Sequence, residues 1–355
     1  MNKNTIVGFV LIGVILFGFT WFQSKQYEKQ VAYQAQLDSI ARAERLEQYR
    51  ADSIAGRLPV ADTSAGESFQ TASAVAAAPV SIYKDSLLEV AHNAAEHFYK
   101  IENDKIAVEF AARGAQPYSV RVKDYKTYDS TDLYLFKPGE SEMGVGIYAG
   151  ENINTKDFVF QLAEKTDTSV VMRLPFRNGG YIQQKYTLKQ GSYVVSNVMS
   201  FVGMDGIIPR NVAYYDFDWD VTIPRMEKGY KNEVQYSKVD YYYGGDKKPE
   251  EFGRGRNMDK RIENRVEWFA FQQQFFSAIM RPVNQFTSGE LAINFVPEED
   301  LSHNLMTCVA KMRGDFRIAD NVEINNEFYF GPNHYKTLKS YGQKYEKIIP
   351  LGGWM

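Results

Sequence analysis

The stretch Tyr214-Tyr215-Asp216-Phe217-Asp218-Trp219-Asp220-Val221-Thr222-Ile223 alternates without a break. Tyr215, Phe217, Trp219, Val221 and Ile223 occupy one parity; Asp216, Asp218, Asp220 and Thr222 occupy the other. A period of two places each set on its own side of an extended chain, so this is a strand with one apolar and one acidic face. Such clean alternation belongs to antiparallel sheets that keep one face on a core. The neighbouring sequence repeats the texture. YSVRVKDY (118–125), DLYLF (132–136), DFVFQL (157–162) and SVVMRLPF (169–176) read as strands. Residues 181–202 read as a hairpin turning at Gln190-Gly191, and further strands fit 232–243, 291–296, 301–312 and 321–330. Helix is scarce until residue 333, where a helical end is expected over 333–347. The expected architecture is mainly β: a large antiparallel sandwich of one domain, without an internal repeat.

The chain has 355 residues, 44% apolar and 24% charged, as in ordinary globular domains. The 24 Tyr and 23 Phe favour strands. A net charge of −3 gives no reason to expect wholesale binding to nucleic acid. Cys308 is the only cysteine, which excludes an internal disulfide and a lipid anchor on a cysteine near the N-terminus. It alternates within an expected strand and reads as a small packed side chain.

The N-terminal region has a different texture. Residues 5–22, TIVGFVLIGVILFGFTWF, carry no charge over 18 residues. As a helix they reach roughly 27 Å, enough for a bilayer core. The run exceeds the apolar core of a signal peptide, and no small-x-small cleavage site follows, so a retained anchor is expected. Residues 23–56 have the composition of a solvated helix, with a short coiled coil that oligomerises the chain as the second reading. Residues 57–80 have linker composition.

Candidate chemistry is sparse. His92 and His97 are five apart, outside the helical spacing that pairs two ligands, while His303 in an expected strand and His334 near a helix start read as structural. Asp216, Asp218 and Asp220 offer oxygen ligands on one strand face, but a solvated acidic face explains them more simply. Tyr241, Tyr242 and Tyr243 have the flat faces that stack on sugars; cross-strand packing is the expected role. Residues 244–265 hold seven Lys and Arg against five acids and read as a long mobile loop with Gly hinges rather than a nucleic-acid patch. No catalytic, cofactor-binding or metal residue is assigned, and no nucleophile elbow, zinc-protease or phosphate-loop motif occurs.

Four further stretches, in order, resemble the N-terminal half of bacterial YidC-type membrane protein insertases in the form found in Bacteroides-like organisms. They are RGAQPYSVRVKDYKTYD (113–129), NGGYIQQKYTLKQGSYVVSN (178–197), WFAFQQQFFSAIM (268–280) and FYFGPNHYKTLKSYG (328–342). The opening residues are similar to that family's first transmembrane helix. The resemblance implies a cytoplasmic N-terminus at 1–4, an anchor at 5–22 in the bacterial inner membrane and a polar linker over 23–80. It also implies a periplasmic β-supersandwich over 81–347 whose terminal helix is 333–347. Residues 348–355, IIPLGGWM, then begin a membrane-proximal segment. Partners implied are Sec translocon components and nascent membrane proteins, with the bilayer met through residues 5–22. The family's insertion groove lies beyond residue 355, so a structural or partner-binding role without enzymatic chemistry is expected. The alternative is a membrane-anchored carbohydrate-binding or mutarotase-like sandwich, which needs an acid/base pair in a cleft.

Overall fold

The computed structural model describes residues 83–319 and 321–350. The expected anchor at 5–22, the stretches 23–56 and 57–80, and residues 351–355 lie outside the described residues. No described helix is long and apolar enough to cross a membrane.

Helix α1 (Ser86–His92) opens the described chain, its first turn capped by the Asp85 carboxylate on the Leu87 N–H. Strands β1 (Phe98–Glu102), β2 (Ile106–Ala111), β3 (Gln116–Lys126) and β4 (Asp132–Phe136) form a four-stranded antiparallel sheet in sequential order. The remaining strands build a second sheet. They are β5 (Ser141–Tyr148), β6 (Asn152–Asn154), β7 (Gln161–Lys165), β8 (Ser169–Pro175), β9 (Tyr181–Leu188), β10 (Val194–Val202) and β11 (Tyr214–Pro224). After α2 (Tyr230–Tyr236) come β12 (Lys238–Tyr243), β13 (Glu250–Phe252), β14 (Met258–Ile262), β15 (Val266–Gln272), β16 (Phe276–Pro282), β17 (Phe286–Phe295), β18 (Asn304–Asp315) and β19 (Asn321–Pro332). Helix α3 (Tyr335–Ser340) follows the last strand. The path through the second sheet runs β6-β5-β11-β18-β17-β15-β16-β19-β10-β9-β8-β7, with β12 added to β15, β13 to β12 and β14 to β17.

Strand β11 behaves as its alternation demands. Tyr215, Phe217, Trp219, Val221 and Ile223 are all buried. Trp219 is the centre of the core. Its indole N–H donates to Ser141 Oγ (3.1 Å), and its ring lies 5.2 Å from Phe271, 6.0 Å from Phe328 and 6.3 Å from Phe136. Phe136 belongs to the small sheet, so this aromatic cluster joins the two layers. A second joint is Tyr186, which stacks near Phe110 (4.4 Å) and donates its hydroxyl proton to the Ala115 carbonyl (2.8 Å).

Several expectations change. Residues 157–162 bury Phe158 and Phe160 as expected, but Val159 between them is buried too and Leu162 is exposed. However, Val159 N–H bonds to Ala91 and Phe160 N–H to Ala112, so the stretch follows a 3-10 turn (Thr155–Asp157) and enters β7 only at Gln161. The expected strand 232–243 is half helix: α2 runs to Tyr236 and buries Glu233, and only β12 is extended. The expected loop 244–265 contains two edge strands. β14 pairs with β17 from Met258↔Ile293 to Ile262↔Gly289, its charged alternate residues facing solvent as edge strands require. His303 sits before β18 in a left-handed turn (φ 54°), not in a strand. The helical end is two short pieces, α3 and a 3-10 turn (Tyr345–Ile348), separated by left-handed Gly342 and Lys344. Gly342 has no Cβ to oppose that geometry.

Candidate functional site

Two places in the sandwich gather polar and aromatic groups. The first is a cleft of about 1140 Å³ on the polar face of β6, β5, β11, β18, β17 and β14. The acidic side of β11 forms part of its wall. Asp216 accepts two bonds from the Arg313 guanidinium (2.8 and 3.3 Å), and Arg313 lies 3.9 Å over the Tyr214 ring. Asp218 accepts from Asn154 Nδ2 (3.0 Å). Asp220 is two residues further on; burial raises its pKa, against the pull of Lys156 and Lys311. The expected solvated acidic face is therefore corrected: its three carboxylates are half-buried, and Asp216 and Asp218 are paired with groups from neighbouring strands. Gly146 keeps the lining low where β5 passes Asp216, while Gly289 on β17 faces the core side opposite Met312. A Cβ on Gly289 falls 2.4 Å from Met312 Sδ and 2.5 Å from the Lys311 carbonyl. Tyr148 and Tyr214 remain 44% and 47% exposed, which leaves two flat faces at the cleft.

The second place is where the chain leaves the last strand. Leu338, Tyr345 and Ile348 are all buried against the sandwich. Tyr345 meets Trp268 edge-on (5.5 Å) and Tyr329 at 6.2 Å. Trp268 also donates its indole N–H to the Gln343 carbonyl (2.9 Å) and stacks on Tyr242 (5.5 Å, 21°). Lys344 Nζ donates to Tyr242 Oη (2.6 Å) and the Asp246 carbonyl (3.2 Å), while Tyr193 N–H bonds to Tyr341 Oη (3.0 Å). Below this lies buried Lys238, whose ammonium donates to Asp240 (2.7 Å), to Glu251 and to the Ile348 carbonyl (3.5 Å). Burial pushes Asp240 up to about 7 even with Lys238 beside it. A buried pair of this kind contributes little net stability, but removing one member is costly because the other charge is stranded.

The remaining sequence candidates do not converge. His92 donates Nδ1–H to the Asp157 carbonyl (3.0 Å), and His97 is exposed. The His303 carbonyl accepts from Arg225 N–H, and His334 pairs with Thr337 (2.8 Å). None of the four lines the cleft. Tyr241 and Tyr242 pack in the core, as cross-strand residues do. Cys308 is fully buried, and burial raises its thiol pKa. No cluster of three or more His, Cys, Asp or Glu suited to a metal ion occurs among the described residues. Sequence reasoning missed Lys238, Asp240 and Trp268. A lysine and an aspartate two apart in an apolar strand are a visible signal for a buried pair, but their partner Glu251 comes from a strand that the sequence does not announce.

The fold and the tied-down terminal segment match a known class of domain. The chain belongs to the family described as the YidC periplasmic domain, which matches residues 99–355. It is 33% identical over 340 residues to a membrane protein insertase YidC of Bacteroides fragilis, covering 95% of this chain and 52% of that protein. It is 30% identical over 361 residues to the membrane protein insertase YidC of Porphyromonas gingivalis, covering 99% and 55%. The chain thus spans about half the length of these curated relatives. Among solved structures, a galactose mutarotase related enzyme from Lactobacillus acidophilus aligns at 10% identity and TM-score 0.42, over 66% of this chain and 97% of that one. A galactose mutarotase-like protein from Lactobacillus casei aligns at 10% identity and TM-score 0.43, over 66% and 100%.

Proposed function

We propose that this chain is the anchor and extracytoplasmic domain of an inner-membrane protein insertase. In this reading residues 5–22 hold it in the bilayer and the sandwich works as a rigid, partner-binding base without catalytic chemistry of its own. It assists insertion and folding of integral membrane proteins alone or beside Sec translocon components. The observation that carries the reading is the family match over 99–355, joined to the way the terminal segment is held. Leu338, Tyr345 and Ile348 anchor that segment with buried side chains, a bond from Trp268 holds its backbone at Gln343, and the Lys344 and Tyr341 side chains bond to Tyr242 and Tyr193. A segment fixed at so many points transmits the position of the sandwich to whatever follows it.

The test is complementation of an insertase-depleted strain by the full-length protein carrying either of two deletions. One removes residues 335–348; the other removes the far edge strand β7 (Gln161–Lys165), exposed along its length. Insertion of a reporter membrane protein should fall sharply with the first and stay near normal with the second. Equal tolerance of both refutes the coupling role.

A further inference from the structure

Two lysine-bearing parts of the sequence are joined beside residues 343–348 by a bond from Lys344 to the Asp246 carbonyl. The turn between β12 and β13 carries exposed Lys247 and Lys248. Its Asp246 carbonyl is held by Lys344 Nζ at 3.2 Å, which fixes that turn against residues 343–348. Lys344 caps the 3-10 turn Tyr345–Ile348 and Lys347 lies within it, both exposed. Lys336 and Lys339, also three apart, share a face of α3 and are exposed. Across residues 244–249 and 333–350 there are six lysines and two acids, Asp246 and Glu346, and Glu267 on β15 also faces Lys344. Beyond Ile348, which is buried in the sandwich, the sequence runs on as Ile349-Pro350-Leu351 and reaches Trp354. Lysines bordering an apolar, Trp-bearing stretch are the composition of a bilayer interface with anionic headgroups.

We propose that this rim, formed by Lys247, Lys248 and Lys347 with the lysines of α3 and braced by Lys344, rests on an anionic lipid surface. The proposal deepens the insertase reading and depends on it for placing the sandwich next to a membrane. Its chemistry is charge on charge: flexible ammonium groups at fixed backbone positions meeting phosphate headgroups. Contacts of this kind depend on salt and on lipid charge, and are lost at about 1 M salt, where screening reaches only about 3 Å.

The experiment places a polarity-sensitive dye on Ser340→Cys in the full chain, beside the rim; buried Cys308 is not labelled. The protein is reconstituted with vesicles of phosphatidylcholine, or of phosphatidylcholine with phosphatidylglycerol. Flotation with neutral vesicles reports the anchor separately, so failure of the anchor and failure of the rim are told apart; without an anchor, flotation with anionic vesicles reads the rim directly. A blue shift is expected only with anionic vesicles. It should vanish in 1 M salt, and the triple variant Lys247→Glu, Lys248→Glu, Lys347→Glu should weaken it about tenfold or more in lipid titration. An identical spectrum in both vesicles, or a shift untouched by charge reversal, overturns the proposal. So does a triple variant that impairs insertion in cells while its dye response is unchanged, which assigns the rim to a protein partner.

Discussion

Truncating Tyr345 to alanine is the sharpest probe of the terminal clamp. The side chain is 2% exposed and its ring touches both Trp268 and Tyr329. Removing a buried aromatic ring costs about 3–5 kcal/mol, from lost transfer energy and the cavity left behind. Where that cost appears is set by connectivity. Residues 335–348 follow the last strand and pair with none, so the segment can undock while every ladder from β1 to β19 stays closed. The loss should therefore be local. Hydrogen exchange of the Leu338, Tyr341, Gly342 and Lys347 amides, each bonded within the segment, should speed up at least about a hundredfold, since 1.4 kcal/mol is a factor of ten. The Trp268 indole proton should lose protection with them, because its acceptor is Gln343. Amides of β11 and β18 should hardly change. Uniform loss of protection across the sheet would refute the reasoning, because Tyr345 would then belong to the cooperative core; no change anywhere would show that the ring does not hold the segment.

Glu233 and Gly289 give two further tests. Glu233 is buried, its Oε1 accepts from Met226 N–H (2.9 Å), its Oε2 has no hydrogen-bond partner, and burial raises its pKa from 4.5 to about 7. A raised carboxyl pKa means the folded state holds the proton more tightly, so this group's stabilising contribution is full below about 4.5 and is lost as pH rises toward 7. Glu233→Gln should then melt like the parent at pH 4.5 but be more stable at pH 8, by up to about 3 kcal/mol; equal melting differences at both pH values contradict the assignment. Gly289→Ala drives a methyl into Met312 and the Lys311 backbone, and should cost about 1–3 kcal/mol in urea unfolding. An unchanged midpoint would mean that β17 and β18 separate easily at that point.

Alternation in the sequence fails to identify an element at residues 157–162 and at β14. Phe158 and Phe160 are buried as their parity predicts, but so is Val159 between them, and the Val159 and Phe160 amides bond to Ala91 and Ala112 rather than to a strand. Sequence parity marked two of these three inward side chains, and it could not show which chain receives the hydrogen bonds. β14 shows the converse: MDKRI is charged and short, and becomes a strand because β17 offers it an edge. Strand propensity depends on such context, so polar edge strands leave weak traces. The cleft was half legible. Its acidic row was plain, but Arg313 and Asn154, which neutralise or bind two of its carboxylates, are 97 and 64 residues away.

By itself the sequence determined the local rules: extended chain where apolar and polar residues alternate, the hairpin at Gln190-Gly191, the placing of Cys308 and Trp219 on the buried side, and the family to which the order of its stretches pointed. Those features depend on side-chain parity and turn chemistry, which act over a few residues. Only the tertiary structure decided that Lys238 meets Glu251 and Ile348, that Trp268 receives Tyr345, and that Lys344 reaches the turn carrying Lys247 and Lys248, almost a hundred residues away. Each of these joins groups distant in sequence, and such contacts form only when the sheet order has closed the chain between them.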